Sequence, residues 1–183
     1  GEAVAVDTGG KFAKAAEDYK RYVTSQTEAL VPATEAFAAA IKAGDVARAK
    51  ALYPTTRTYF ERIEPVAESF PKDLDPRVDL READLEPGQK WTGFHRLEKD
   101  LWVSGIQPDT AAIADQLVAD IKELDAGVRA PDWTIDPTQV AGGAHQAVRQ
   151  IGASGEPSSH RVRRRGPADR DLQQPVEAEL VAG

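Results

Sequence analysis

From Lys11 to Ile41 the apolar residues return at steps of three and four: Phe12, Ala15, Ala16, Tyr19, Tyr22, Val23, Leu30, Phe37, Ala40 and Ile41, with Gln26 in the same register. This is the stripe of an amphipathic helix. A stripe this long must be covered by other helices or a sheet. Strand-like alternation is almost absent from the chain, so the sequence predicts an all-α, antiparallel helical bundle. Pro32 lies inside the stripe and is expected to kink or divide it. Gly44 reads as a C-terminal stop and Asp45 as the N-cap of a second helix. That helix carries Val46, Ala49, Leu52 and Tyr53 on its apolar face, and Pro54 and Pro65 should kink or split it.

Between Pro71 and Gly88 the prolines and acids predict a long ordered loop with room for one short helical turn. A third helix is expected over Trp91–Val103. A fourth starts at Pro108-Asp109-Thr110, with Ile113, Leu117, Ile121 and Leu124 on one face. Residues 131–137 read as a loop, and a fifth helical piece is expected from Thr138 to about Gln150. The domain division is then a linker over 1–10, a helical domain over 11–150 and a poorly ordered tail over 151–183. The tail holds Arg161, Arg163, Arg164 and Arg165 but no aromatic residue and no helical period.

Charge and composition narrow the partners. The net charge is -7 and the pI near 5.0. An acidic chain of this kind argues against a nucleic-acid partner, which needs a clustered positive face. There are no cysteines, so a bound metal must be held by oxygen and imidazole. No apolar run reaches the roughly 20 residues of a membrane-spanning helix, so no transmembrane segment is expected. The chain has no methionine and begins at Gly1, as expected of a processed product or a fragment from which an address has been removed.

Three constellations carry possible chemistry. His95-x-x-Glu98 places imidazole and carboxylate on one helical face, within reach of one ion; the same spacing also makes an ordinary surface hydrogen bond. Glu61, Glu64 and Glu68 are expected to share one helix face, where like charges repel and a cation would bring relief; the competing reading is a solvated face with Arg57 or Arg62 nearby. The acids Asp73, Asp75, Asp79, Glu82, Asp84 and Glu86 lack EF-hand spacing. They read either as a lid or ligand donor over the other two groups, or as a solvated loop. Trp91, Phe94, Leu97, Leu101 and Trp102 are expected to be core. His145 and His160 stand alone and are assigned no role. No phosphate-binding loop, dinucleotide fingerprint or nucleophile elbow is present.

Taken together, Ala43-Gly44-Asp45, Ala49-Lys50-Ala51-Leu52-Tyr53, the run Tyr59 to Phe70, Asp73-Leu74-Asp75, Asp79-Leu80-Arg81-Glu82 and Trp91-Thr92-Gly93-Phe94-His95-Arg96-Leu97-Glu98-Lys99 resemble the imelysin-like (M75 peptidase) family, in its EfeO/EfeM iron-uptake branch. The resemblance runs from about Lys11 to Val140. It implies two similar four-helix bundles and a periplasmic or cell-surface location. It also implies metal binding near His-x-x-Glu, with iron the cargo in this branch; the imidazole-carboxylate pair by itself suits copper or zinc as well. The ligands it implies are His95 and Glu98 first, then Glu61, Glu64 and Asp79, with Glu82 as a neighbour. The partner it implies is the membrane permease of an iron-uptake system.

The peptidase name is no evidence of proteolysis, since neither a nucleophile nor a His-Glu-x-x-His pair is present. A metallopeptidase and a purely structural helical module remain the alternative readings. Two departures stand out. No cupredoxin domain precedes the helices, and nothing after Val140 resembles the family's Glu-Asp-Arg-Tyr-Ser-His-Thr-Asp-Leu segment. The abrupt change to arginine, serine, glycine and proline there is expected to mark a frameshifted or truncated end.

Overall fold

In the computed structural model, which describes residues 8–135, the first stripe forms one 35-residue helix, α1 (Thr8–Lys42). Pro32 does not divide it. The proline ring is exposed, and so is Glu28, whose carbonyl loses its partner at the proline, so water can satisfy that carbonyl. On the opposite side Val23, Leu30, Thr34 and Phe37 are fully buried, and their packing keeps the helix running through the break. Residues 136–183, and with them the expected fifth helix, the tail, His145 and His160, lie outside the described residues, as do 1–7.

Gly44 ends α1 as expected. At φ +71 it takes a conformation that favours glycine. Its N–H donates to the Ile41 carbonyl and that of Asp45 to the Ala40 carbonyl, at 3.0 and 2.9 Å, the paired bonds of a Schellman motif. Asp45 then caps α2 (Val46–Glu61) by accepting from the Arg48 N–H at 3.0 Å. Asp45→Ala is expected to cost about 1 kcal/mol, read as a lower urea midpoint with an unchanged slope.

Pro54 is exposed and leaves α2 intact, whereas Pro65 sits in the first turn of a separate short helix, α3 (Glu64–Ala67). Inside the expected loop the chain makes α4 (Leu74–Asp79) and a 3₁₀ turn over Glu82–Asp84. Next come α5 (Phe94–Lys99), which starts three residues later than Trp91, a π-helical turn over Asp100–Ser104, and α6 (Thr110–Arg129).

The core lies between α1, α2 and α6, closed by α3–α5; Phe37, Phe60, Phe94, Leu117, Ile121 and Leu124 are fully buried. Polar pairs along the α1–α6 seam set its direction. Lys42 meets Asp115 at 2.8 Å, Glu35 meets Lys122 at 2.6 Å and the Thr27 hydroxyl donates to Asp125 at 2.7 Å. Rising numbers on α6 thus match falling numbers on α1, so the two are antiparallel. The described residues are all-α, and none of their helices is long and apolar enough to cross a membrane.

Candidate metal centre

Three segments converge beneath α5. The Trp91 indole N–H donates to the Leu80 carbonyl and the Thr92 hydroxyl to the Arg77 carbonyl, both at 2.8 Å. These bonds fasten the strap before α5 onto the end of α4. Gly93, buried at φ +87, makes the tight entry into α5. The result sets His95, on α5, opposite Asp79, the last residue of α4: Nε2 lies 3.6 Å from Asp79 Oδ1.

The other ring nitrogen of His95, Nδ1, is 3.1 Å from Glu98 Oε2. An ionised carboxylate only accepts, so Nδ1 carries a proton; in the neutral ring Nε2 then presents its lone pair toward Asp79. Nε2 is buried and has no hydrogen-bond partner. In this conformation Glu98 orients the ring rather than joining Nε2 at one point, the usual arrangement behind a metal-binding histidine.

Asp79 is paired with Arg57 of α2 through both guanidinium nitrogens, one of them at 3.1 Å. Arg57 also reaches Glu61 at 3.0 Å. Burial works against the Arg57 charge, but the Asp79 carboxylate outweighs it and holds the guanidinium above its ordinary range. Glu61 itself is exposed and lies at the end of α2, one break away from Glu64 on α3. The three glutamates at 61, 64 and 68 therefore do not line one continuous helix as the spacing alone suggests.

Glu64 is coupled to Asp79, one of the loop acids read in the sequence as a lid or ligand donor or as a solvated loop. Burial first, then the charges of Asp79, Glu68 and Glu61, raise the Glu64 carboxyl, with Arg57 opposing. Asp75 is pushed up to about 6, by burial and then by Asp79, Glu64 and Glu68, and its Oδ1 is buried without a hydrogen-bond partner. Asp75 and Asp79 stand four apart on α4; had that segment been read as a helix, the spacing would have put both on one face. Tyr53 was likewise read only as core. Burial, and next the adjacent Glu98 charge, hold its hydroxyl protonated.

Glu82 pairs with Lys99, and both line the same cleft as His95 and Glu98. Trp102 is not core: it is 47% exposed, its ring beside Tyr53 at 5.4 Å and Lys50 at 5.5 Å. Trp91, also expected in the core, is half-buried at the cleft wall, whereas Phe94, Leu97 and Leu101 are buried as expected.

His95 thus stands between two environments. Inward are Asp79 and the crowded carboxylates. Outward, His95 and Glu98 line a cleft of about 500 Å³ together with Arg81, Trp91, Lys99 and Trp102. Among the described residues no three His, Asp or Glu side chains converge on a common point. The fit to a cation rests on His95 Nε2, unpaired and 3.6 Å from Asp79 Oδ1, with the raised carboxyls of Glu64 and Asp75 beside Asp79. Two donors each about 2.1 Å from a tetrahedral ion stand about 3.4 Å apart, close to the Nε2–Asp79 separation.

Comparison with known proteins gives a consistent picture. The family model described as imelysin, peptidase M75, matches residues 15–163. The iron uptake system component EfeM of Bacillus subtilis (strain 168) is 49% identical over 144 residues, covering 79% of this chain and 37% of the relative. EfeM of Pseudomonas syringae pv. syringae is 44% identical over 140 residues, 75% of this chain and 48% of the relative. A lipoprotein of Staphylococcus haemolyticus, described as of the EfeM/EfeO family, is 43% identical over 145 residues, 77% of this chain and 50% of the relative. The matched stretch thus spans half or less of the length of each of these relatives.

Proposed function

The chain belongs to the imelysin family, and on that premise we propose that it is an iron-capturing component of a bacterial uptake system, acting outside the cytoplasm and handing its cargo to a membrane permease. The observation that carries the reading is the orphaned Nε2 of His95, oriented by Glu98 and facing Asp79 across 3.6 Å. A buried imidazole nitrogen with no hydrogen-bond partner among the protein atoms is an unsatisfied polar group. A cation between it and Asp79 would satisfy it.

In this reading His95 and Asp79 are the first donors, and Glu64, Glu61 and Glu98 are the carboxylates that complete or orient the set. Asp75 adds negative potential behind them. Arg57 occupies Asp79 until a cation competes for it. The uptake role and the extracytoplasmic location are supported by the names of the relatives, two of them iron uptake components and one a lipoprotein. Copper and zinc suit the same nitrogen and oxygen donors.

The test is calorimetric titration of the chelator-stripped chain with ferrous, cupric and zinc ions, and with ferric ion supplied as its citrate complex, repeated on the His95→Ala, Glu98→Ala double variant. Loss of a donor and its orienting partner should weaken binding by about 100-fold. Unchanged affinity in a folded double variant refutes the site.

A further inference from the structure

The hydroxyl of Tyr53 has no task in the metal reading above. Tyr53 lies on α2 one turn before Arg57, so the two side chains leave the same helical face. The residue is 6% exposed. Its ring meets Phe94 and Trp102 edge-on, with ring centres 6.2 and 5.4 Å away, and lies 5.8 Å from Phe37. Phe94, Glu98 and Trp102 follow one another at steps of four along α5 and the π turn. A ring that touches the first and the third therefore stands beside the second, Glu98. The hydroxyl oxygen is itself buried, and no described residue gives it a hydrogen bond. Burial and the neighbouring Glu98 charge keep it protonated, so it has a proton to donate. Packing needs the ring and not the oxygen: phenylalanine would fill the same space without an unsatisfied buried group. What the oxygen adds is an O–H donor beside a carboxylate that can accept several bonds, of which His95 Nδ1 supplies one.

We propose that Tyr53 is a positioning residue of the metal site: its O–H donates to Glu98, and Glu98, held in this way, fixes the His95 ring with Nε2 turned to Asp79. This rests on the metal reading above and names the group that steadies the orienting carboxylate. Glu98 needs steadying, because its side chain is 46% exposed and a single bond to Nδ1 leaves it free to swing. The same freedom lets a small turn of Glu98, with rotation of the hydroxyl, close the bond. Only hydrogen bonds change, and no proton leaves Tyr53. Outer partners of this kind set the basicity and aim of a metal-binding histidine.

The experiment measures zinc affinity by calorimetry and the urea midpoint of the metal-free chain. It compares the wild type, Tyr53→Phe, Glu98→Ala, the combination of these two, and His95→Ala. Tyr53→Phe is expected to keep or raise the urea midpoint, because it removes an unsatisfied buried hydroxyl, yet to weaken zinc binding by about tenfold. In the Glu98→Ala background the same substitution should leave zinc affinity unchanged, because the hydroxyl then has nothing to hold. A merely structural hydroxyl would do the reverse, lowering the midpoint and leaving zinc affinity alone. Unchanged zinc affinity in Tyr53→Phe, while His95→Ala abolishes binding, overturns the inference and leaves the metal site standing. An equal loss with and without Glu98 also overturns it, since the hydroxyl would then act on the cation itself. Zinc binding that survives His95→Ala overturns the metal reading and this inference with it.

Discussion

Gly93→Ala is expected to destabilise the chain by about 4 kcal/mol, combining about 1–3 for the strained backbone with about 1–3 for displaced packing. At φ 87 and ψ -167 the residue occupies a region open essentially to glycine. A methyl group there would overlap the Val78 carbonyl oxygen and stand 2.7 Å from the Arg77 carbonyl oxygen. Both obstacles are backbone, at the end of α4, and cannot turn aside as a side chain could. Against a typical total of about 5–15 kcal/mol, the loss is large. Gly88→Ala is the control. It shares a positive φ, +82, but has nothing within 4 Å of the added carbon, so it meets strain alone, about 1 kcal/mol. Urea denaturation of both variants decides the matter: equal midpoints would mean that the approach of α4 to Gly93 is not what makes the glycine necessary. The functional corollary is direct, because the same contact sets the spacing of Asp79 and His95.

What was legible in the sequence follows the range of the interactions. The stripe of α1, the Gly44-Asp45 junction and the α6 face Ile113, Leu117, Ile121 and Leu124 depend on local spacing, and each appears where the pattern puts it. Pro65 breaks the chain because it falls next to a helix end. Pro32 and Pro54 do not, because their exposed sides can be hydrated while their inner neighbours stay packed, which a breaker rule applied to single residues does not see. His95, Glu98 and Asp79 stood out by residue type and resemblance. The tie between Arg57 and Asp79 spans 22 residues, and no local period encodes it. Trp102 failed as core for a geometric reason: the π turn over Asp100–Ser104 carries it off the inward stripe that Phe94, Leu97 and Leu101 follow.

Arg57→Met should lower stability at pH 7 by about 2–3 kcal/mol, somewhat less than the 3–5 kcal/mol for breaking a fully buried pair, since solvent screens part of this group. Methionine keeps much of the stem that packs near Phe94, where the guanidinium carbon lies 5.8 Å from the ring. What is lost is the charge against Asp79, whose side chain is only 8% exposed, and against Glu64 behind it. The effect should depend on pH in a fixed direction. Asp75 has its carboxyl raised from 3.8 to about 6, so between about pH 4 and 6 the folded chain keeps a proton that the unfolded chain has released. Its contribution is therefore most favourable at low pH and is lost as pH rises through 6. Without Arg57 the surrounding carboxylates, Glu64 among them, repel more strongly, so the deficit of the variant should shrink from pH 7 to pH 5. The same substitution should tighten zinc binding and make the melting temperature of the variant rise more on adding zinc than that of the wild type, because the cation no longer competes with a guanidinium for Asp79. A deficit that is the same at both pH values would mean that packing, not charge, was removed. Weaker zinc binding in the variant would mean that Arg57 holds Asp79 in place for the metal instead of holding its position until the metal arrives.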